Sequence, residues 1–307
     1  MKTIHQTAVA LCCTLFFTSI CIADADISLF IEGSLAEEVT TENCTLSDGS
    51  ESTCYRVTIV GRPVNDTENT EVYCPSNIEA GAEEGGLWFD GDGTVYDVTG
   101  QFLANLAEIY DDERWQMYNE ATGEITVITG PEGCEVAGDP RGPGYDNFCL
   151  ECKLSELNGG VQRTLLIPVS PRPLQTPTRI RRQNIGVAFN GVLFGPPAPV
   201  DMILGSYSLG VFDDCGAHAN PHEGYHYHGA TGCSEIVPQE DGHAAQMGIA
   251  IDGFGIFAEL GDANVLNEVL DECGGSTDDV RGYHYHAFPA GLNKIIGCIS
   301  GAQANVE

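Results

Sequence analysis

Positive charge is what this sequence has least of. Lys2, Lys153 and Lys294 are its only lysines, and 13 Lys+Arg stand against 45 Asp+Glu in 307 residues, a formal net charge of −32. A chain this poor in cations has little to exchange for the counterions of a polyanion, which excludes nucleic acid as a partner. Past the first 25 residues no uncharged apolar run approaches the roughly 18 to 20 residues of a membrane span. A Gly-x-Ser-x-Gly nucleophile elbow and a phosphate-binding glycine loop are also missing, so neither chemistry is expected.

What is present begins with a leader. Lys2 precedes an apolar stretch from Ala8 to Ile22 that ends at Ala23-Asp24-Ala25, the order of a secretory signal peptide over residues 1–25. Ile20 before Cys21 and Leu11 before Cys12 do not fit a lipid-anchor site. The expected product is secreted or periplasmic. Removing Cys12, Cys13 and Cys21 from the 13 cysteines leaves ten, an even number in a compartment where disulfides persist. Six (Cys44, Cys54, Cys74, Cys134, Cys149, Cys152) precede a stretch containing Pro168, Pro171, Pro173 and Pro177, and four (Cys215, Cys233, Cys273, Cys298) follow it. Each group can pair within itself, which sets a domain boundary near residue 175. Cys149-Leu150-Glu151-Cys152 has the spacing of a redox pair but no thioredoxin-like surroundings, and is expected to be structural.

Short β-branched runs at Cys54 to Val60, Glu124 to Thr129 and Arg163 to Val169 predict strands, and Leu103, Leu106 and Tyr110 one helical stripe. In the second half Ile185 to Phe189, Gly191 to Phe194, Met247 to Ile251 and Ile295 to Ile299 read as strands. Asp262 is placed to cap a helix carrying Val265, Leu266, Val269 and Leu270. The predicted class is therefore α+β in two disulfide-bonded domains. Residues 26–175 form an acidic, Cys-rich α+β domain, and residues 176–307 a β-rich domain with one helix.

The segment Asp90-Gly91-Asp92-Gly93-Thr94 begins like a calcium loop, but Val95 and Gln101 stand where an EF-hand needs its glycine and its bidentate Glu. Asn43-Cys44-Thr45 and Asn65-Asp66-Thr67 fit the glycosylation triplet, which matters only in a host that glycosylates.

The histidines carry the stronger signal. Once His5 leaves with the leader, His218, His222, His226, His228, His243, His284 and His286 are all that remain, and the pentapeptide Gly-Tyr-His-Tyr-His occurs twice, at 224–228 and 282–286. Successive strand side chains face opposite ways, so His226 and His228 share one face and Tyr225 and Tyr227 the other, and likewise in the second copy. If the two strands pair or face each other, three or four imidazoles converge on one point. The expected ligands are His226, His228, His284 and His286, with His218, His222 and His243 as alternates. Imidazoles without thiolate suit copper first and then zinc. Glu223, Asp252 and Asp271 are candidates to orient the imidazoles from behind, and Met247 is a candidate axial ligand. The plain alternative is a ladder of hydrogen-bonded histidines with tyrosines as core. The competing function is an extracellular binding or adhesion module with calcium in its acidic domain and structural histidines.

The string His218-Ala219-Asn220-Pro221-His222-Glu223-Gly224-Tyr225-His226-Tyr227-His228-Gly229, the later Ile251-Asp252-Gly253-Phe254, Leu270-Asp271-Glu272-Cys273-Gly274-Gly275, Gly282-Tyr283-His284-Tyr285-His286-Ala287 and Ile296-Gly297-Cys298 resemble the YHYH-domain family of exported bacterial proteins. Gly186-Val187-Ala188-Phe189-Asn190-Gly191-Val192 is similar to its opening strand. The resemblance covers residues 180 to 300 and implies a YHYH domain; it names a motif and not an activity. The family's Pro-Ile-Tyr-Gly is here Gly255-Ile256-Phe257-Ala258, so a role for that Tyr hydroxyl is lost.

Overall fold

The computed structural model describes residues 24–65, 73–130, 147–157, 159–261 and 269–305. Among these residues the regular structure is mostly strand, and the α-helices are three short pieces, Gly100–Ala104, Leu106–Ile109 and Val200–Gly205. The stripe of Leu103, Leu106 and Tyr110 is divided at Asn105, which ends one helix and begins the next. The helix expected from Asp262 falls for the most part on 262–268, outside the described residues; Val269 and Leu270, which it was to carry, are described and are not helical. The helix found in the second half instead follows Pro199, a proline-led start that apolar spacing alone does not reveal.

β1 (Thr40–Thr45), β2 (Glu51–Ile59) and β7 (Arg163–Pro168) form an antiparallel sheet with β2 at its centre. β3 (Leu87–Phe89) and β4 (Val95–Asp97) form a hairpin. Its turn is the acidic loop at Asp90, whose Oδ1 accepts from the N–H groups of Asp92, Gly93 and Thr94 at 2.8, 3.0 and 2.9 Å. β5 (Val127–Ile128), β6 (Phe148–Leu150) and β11 (Ser208–Gly210) pair in parallel, and β8 (Pro173–Arg179) pairs with β18 (Cys298–Gly301). Pairing and packing run across residue 175: β6 joins β11, and Val57, Ile59 and Ile167 share an apolar cluster with Val187, Phe189 and Leu193. Four disulfides link described residues, Cys44–Cys54, Cys74–Cys149, Cys215–Cys233 and Cys273–Cys298. Cys149 is thus bonded to Cys74 and not to Cys152.

The sheet that positions the histidines has eight strands in the order β12-β13-β10-β9-β14-β15-β17-β16. β9 (Gly186–Ala188) and β14 (Gln246–Ala250) pair antiparallel at its middle, Val187 opposite Ile249. Outside them lie β10 (Leu193–Phe194) and β15 (Gly255–Phe257), then β13 (Gly224–Tyr227) and β17 (Gly282–His286), with β12 (Ala217–Asn220) and β16 (Gly275–Asp278) at the edges. The two halves have the same register. Gly186 opposite Phe194 is matched by Gly248 opposite Ile256, Phe194 opposite Tyr227 by Ile256 opposite Tyr285, and His218 opposite His226 by Ser276 opposite His284. The sheet is one four-stranded unit used twice about a local two-fold axis between β9 and β14.

Both outer hairpins turn by the same device. Asn220 Oδ1 accepts from the N–H groups of His222 and Glu223, and Asp278 Oδ1 from those of Val280 and Arg281, side-chain turns for which Asn and Asp are suited. Gly224 (φ +76°) and Gly282 (φ +66°) then complete the reversal in the left-handed region. A Cβ at Gly224 would also stand 2.9 Å from Val161 Cβ.

On the inner face Tyr225, Tyr227 and Tyr285 are buried in one apolar cluster with Phe194, Ile256 and Ile299. Burying a phenol requires a partner for its hydroxyl. Tyr225 Oη is 2.5 Å from Asp213 Oδ2, Tyr285 Oη 2.6 Å from Asp252 Oδ2, Tyr283 Oη 3.0 Å from Asp271 Oδ2, and Asn190 Nδ2 donates to Tyr227 Oη at 2.8 Å. Asp213 Oδ1 also accepts from the N–H groups of Cys215 and Ala217, both at 3.0 Å.

Burial pushes the Asp213 carboxyl from 3.8 up to about 8. An acid that holds its proton longer in the folded state makes the unfolded state the proton-poorer one, so stability falls as pH rises between about 4 and 8. The slope from this group approaches about 1.4 kcal/mol per pH unit. Asp213→Asn keeps the acceptor and lets the amide donate to Tyr225, as Asn190 does to Tyr227. Denaturant unfolding of chelated protein should therefore show a flatter pH dependence for the variant; identical slopes would contradict the assignment.

Candidate metal centres

Alternation along β13 and β17 turns the imidazoles to the face opposite the tyrosines, where they form two groups. His218, His226 and His228 make the first, and His243, His284 and His286 the second; within each, the candidate ligand atoms lie within 4.8 Å of one another. The two Tyr-His-Tyr-His doublets therefore do not meet at one point, as sequence pairing suggested. β13 and β17 are five strand steps apart in the sheet, about 24 Å measured along it. Each doublet recruits one of the histidines that sequence reading held as an alternate.

In the first centre His218 comes from the edge strand β12, directly opposite His226. Its Nε2 is 3.2 Å from His228 Nε2. His226 Nδ1 lies 2.9 Å from the carbonyl oxygen of Gly224, and since a carbonyl only accepts, the ring proton sits on Nδ1. Phe212 walls the centre, with its ring centroid 5.2 and 5.0 Å from those of His218 and His228. Gly195 supports it from behind, because a Cβ there would stand 2.7 Å from His226 Cδ2. Burial holds His218, His226 and His228 below the ordinary imidazole range, His218 and His228 well below it; neighbouring rings add to the effect on these two. The rings are thus neutral near pH 7, with a lone pair available for coordination.

The second centre is buried on all sides, with His243, His284 and His286 at 7%, 1% and 0% exposure. Every Nδ1 here faces a carbonyl oxygen: His243 that of Ala244 at 3.0 Å, His284 that of Gly282 at 3.0 Å and His286 that of Ala258 at 2.9 Å. With the protons held on Nδ1, the Nε2 atoms of His243 and His284 meet 3.1 Å apart. Phe257, at the position where the family resemblance implies a tyrosine, packs at 4.6, 5.1 and 6.0 Å from the rings of His243, His284 and His286.

The remaining candidates are engaged elsewhere. His222 is exposed at the hairpin turn and belongs to neither group. Asp252 bonds to Tyr285 and the N–H of Gly301, Asp271 to Tyr283 and the N–H groups of Cys273 and Gly275, and Glu223 to Arg163 and Asn184. The rings of His226, His243, His284 and His286 are oriented by backbone carbonyls and not by these carboxylates. Met247 is buried in the apolar cluster of the tyrosine face. Phe212, Gly195 and the carbonyl anchors were not read from the sequence, because they join the rings only through tertiary packing. The repeat itself had a legible signal beyond the pentapeptide: Asp213-Asp214-Cys215-Gly216 answers Asp271-Glu272-Cys273-Gly274, and Asn190-Gly191 answers Asp252-Gly253.

Crowding at Gly195 yields a local prediction. Gly195→Ala should cost about 1–3 kcal/mol and shift the His226 ring signals in NMR while leaving those of His284 in place. Unchanged stability and unchanged His226 signals would show that the ring is not seated against this glycine.

Comparison with known proteins gives one positive finding. Residues 164–269 match the family model described as YHYH protein, so a YHYH domain lies in this part of the chain. The match takes in the first Tyr-His-Tyr-His element and His243 and stops before the second element at 283–286. A search of curated proteins and of solved structures finds no match.

Proposed function

We propose that this is an exported metal-binding protein that holds two copper or zinc ions, one in each three-histidine centre. The second centre carries the argument. Its three imidazoles hold their Nδ1 atoms against carbonyl oxygens, and the Nε2 atoms of His243 and His284 stand 3.1 Å apart. Lone pairs at that distance repel unless a cation lies between them. Two imidazole nitrogens on a zinc ion at 2.0–2.1 Å and tetrahedral angles stand about 3.3 Å apart, close to the 3.1 and 3.2 Å of the two centres.

Nδ1–H groups donated to carbonyls also fix ring orientation and raise the basicity of Nε2, as in histidine metal sites generally. A set of three nitrogens without thiolate suits zinc and copper. A metal held by three protein ligands keeps a position open for water or another ligand, which a closed four-ligand site lacks. Export is supported by the disulfides, which persist in oxidising compartments. Among the described residues no helix is long and apolar enough to cross a membrane.

Elemental analysis of the untagged, oxidised protein tests the reading. Two equivalents of copper or zinc per chain are expected. His226→Ala with His228→Ala should remove one equivalent and His284→Ala with His286→Ala the other. Full metal content after loss of all four histidines would refute the assignment, as would a protein that refuses both added metals.

A further inference from the structure

The two halves of the sheet share one register but differ in where each acquires its third histidine. β12 supplies His218 opposite His226, whereas β16 has Ser276 opposite His284, and the missing ring is replaced by His243 from the segment between the repeats. That segment, 238–245, is pinned at its base by the paired N–H and carbonyl groups of Val237 and Gln246 at 3.2 and 2.8 Å. A loop held only at its ends would leave the His243 ring free to turn away.

We infer that Asp241, acting through Arg281, is the positioning residue of the second centre: the pair clamps the His243 loop to the foot of β17, which carries His284 and His286. This rests on the metal-binding reading above. Arg281 immediately precedes β17. Its Nη1 donates to Asp278 Oδ2 and its Nη2 to Asp241 Oδ2, while the other oxygen of Asp241 accepts from the His243 N–H at 3.1 Å. The Arg281 side chain is 9% exposed, so this ion pair is shielded from water on the arginine side. Its guanidinium lies 5.7 Å from the centre of the Phe257 ring, the ring that packs on all three imidazoles.

Equivalent positions in the first repeat explain why the clamp exists in one half only. Asn220 and Asp278 both close their turns through Oδ1, but only Asp278 has a second carboxylate oxygen to hold a cation. Position 223, the counterpart of Arg281, is a glutamate that turns instead to Arg163 and Asn184. Ser276 in place of a ring, a cation at Arg281 and a second carboxylate oxygen at Asp278 thus form one set of differences from the first repeat, which together recruit His243. Two carboxylates on one guanidinium leave the clamp with a net charge of −1, so it does not repel a metal ion.

The test uses the full chain carrying His226→Ala and His228→Ala, which reports on the second centre alone. Adding Asp241→Ala, at a side chain 40% exposed, should weaken zinc binding at least tenfold and alter the visible bands of the cobalt(II)-substituted centre. Zinc affinity and cobalt bands equal to those of the parent would overturn the inference while leaving the metal reading intact. A parent that binds no zinc or cobalt would overturn both. Should Asp241→Ala fail to fold, Asp241→Asn removes the charge and keeps the acceptor for His243. It should shift affinity and bands in the same direction by less, and no shift would again overturn the inference.

Discussion

Anchoring of the tyrosine hydroxyls on the buried face is the constraint on which both centres depend. A strand can expose either set of alternate side chains, and a slip of one residue would exchange Tyr for His on every position. The bonds of Tyr225 to Asp213 and of Tyr285 to Asp252 oppose that slip, because it would break both of these buried contacts. With the tyrosines fixed inward, the histidines have one face left, and the carbonyls of Gly224 and Gly282 hold the first ring of each doublet by the same contact, at 2.9 and 3.0 Å from Nδ1. The polar groups under the sheet therefore set the geometry above it.

Duplication supplies the second half of the account. One hairpin-plus-hairpin unit, bent by the same glycines and braced by Cys215–Cys233 in one copy and Cys273–Cys298 in the other, builds the same doublet twice. Divergence then acts on the walls and the third ring. Phe212 closes the first centre from the residue just before the Asp213 turn, while Phe257, the counterpart of Gly195, closes the second from β15. The outcome is two centres of like chemistry but unlike enclosure, one with His218 partly open to solvent and one buried throughout.

Much of this was legible in the sequence for a physical reason: period-two alternation is a local property, and Gly-Tyr-His-Tyr-His states it within five residues. Strands at Arg163–Pro168 and Gln246–Ala250 were readable from short apolar runs. The number of centres was not, because it depends on which strands lie between the doublets, and β10, β9, β14 and β15 pair through contacts that leave no local mark. His243 is the sharpest case. Nothing in Gly242-His243-Ala244 separates it from the exposed His222; only the fold of the intervening segment brings one ring to a centre and leaves the other at a turn. The apolar run Ile295 to Ile299 shows the limit of apolar pattern: Ile295 and Ile296 are fully buried, yet pairing starts only at Cys298, since burial satisfies the side chains without requiring a strand.

Anomalous diffraction from crystals of the oxidised protein, collected at the zinc and copper absorption edges, tests the central claim most directly. Two separate peaks are predicted, one bounded by Nε2 atoms of His218, His226 and His228 and one by those of His243, His284 and His286, each about 2.0–2.1 Å from its nitrogens. Density with no peak at either group, or with a single metal shared between the two doublets, would contradict the account.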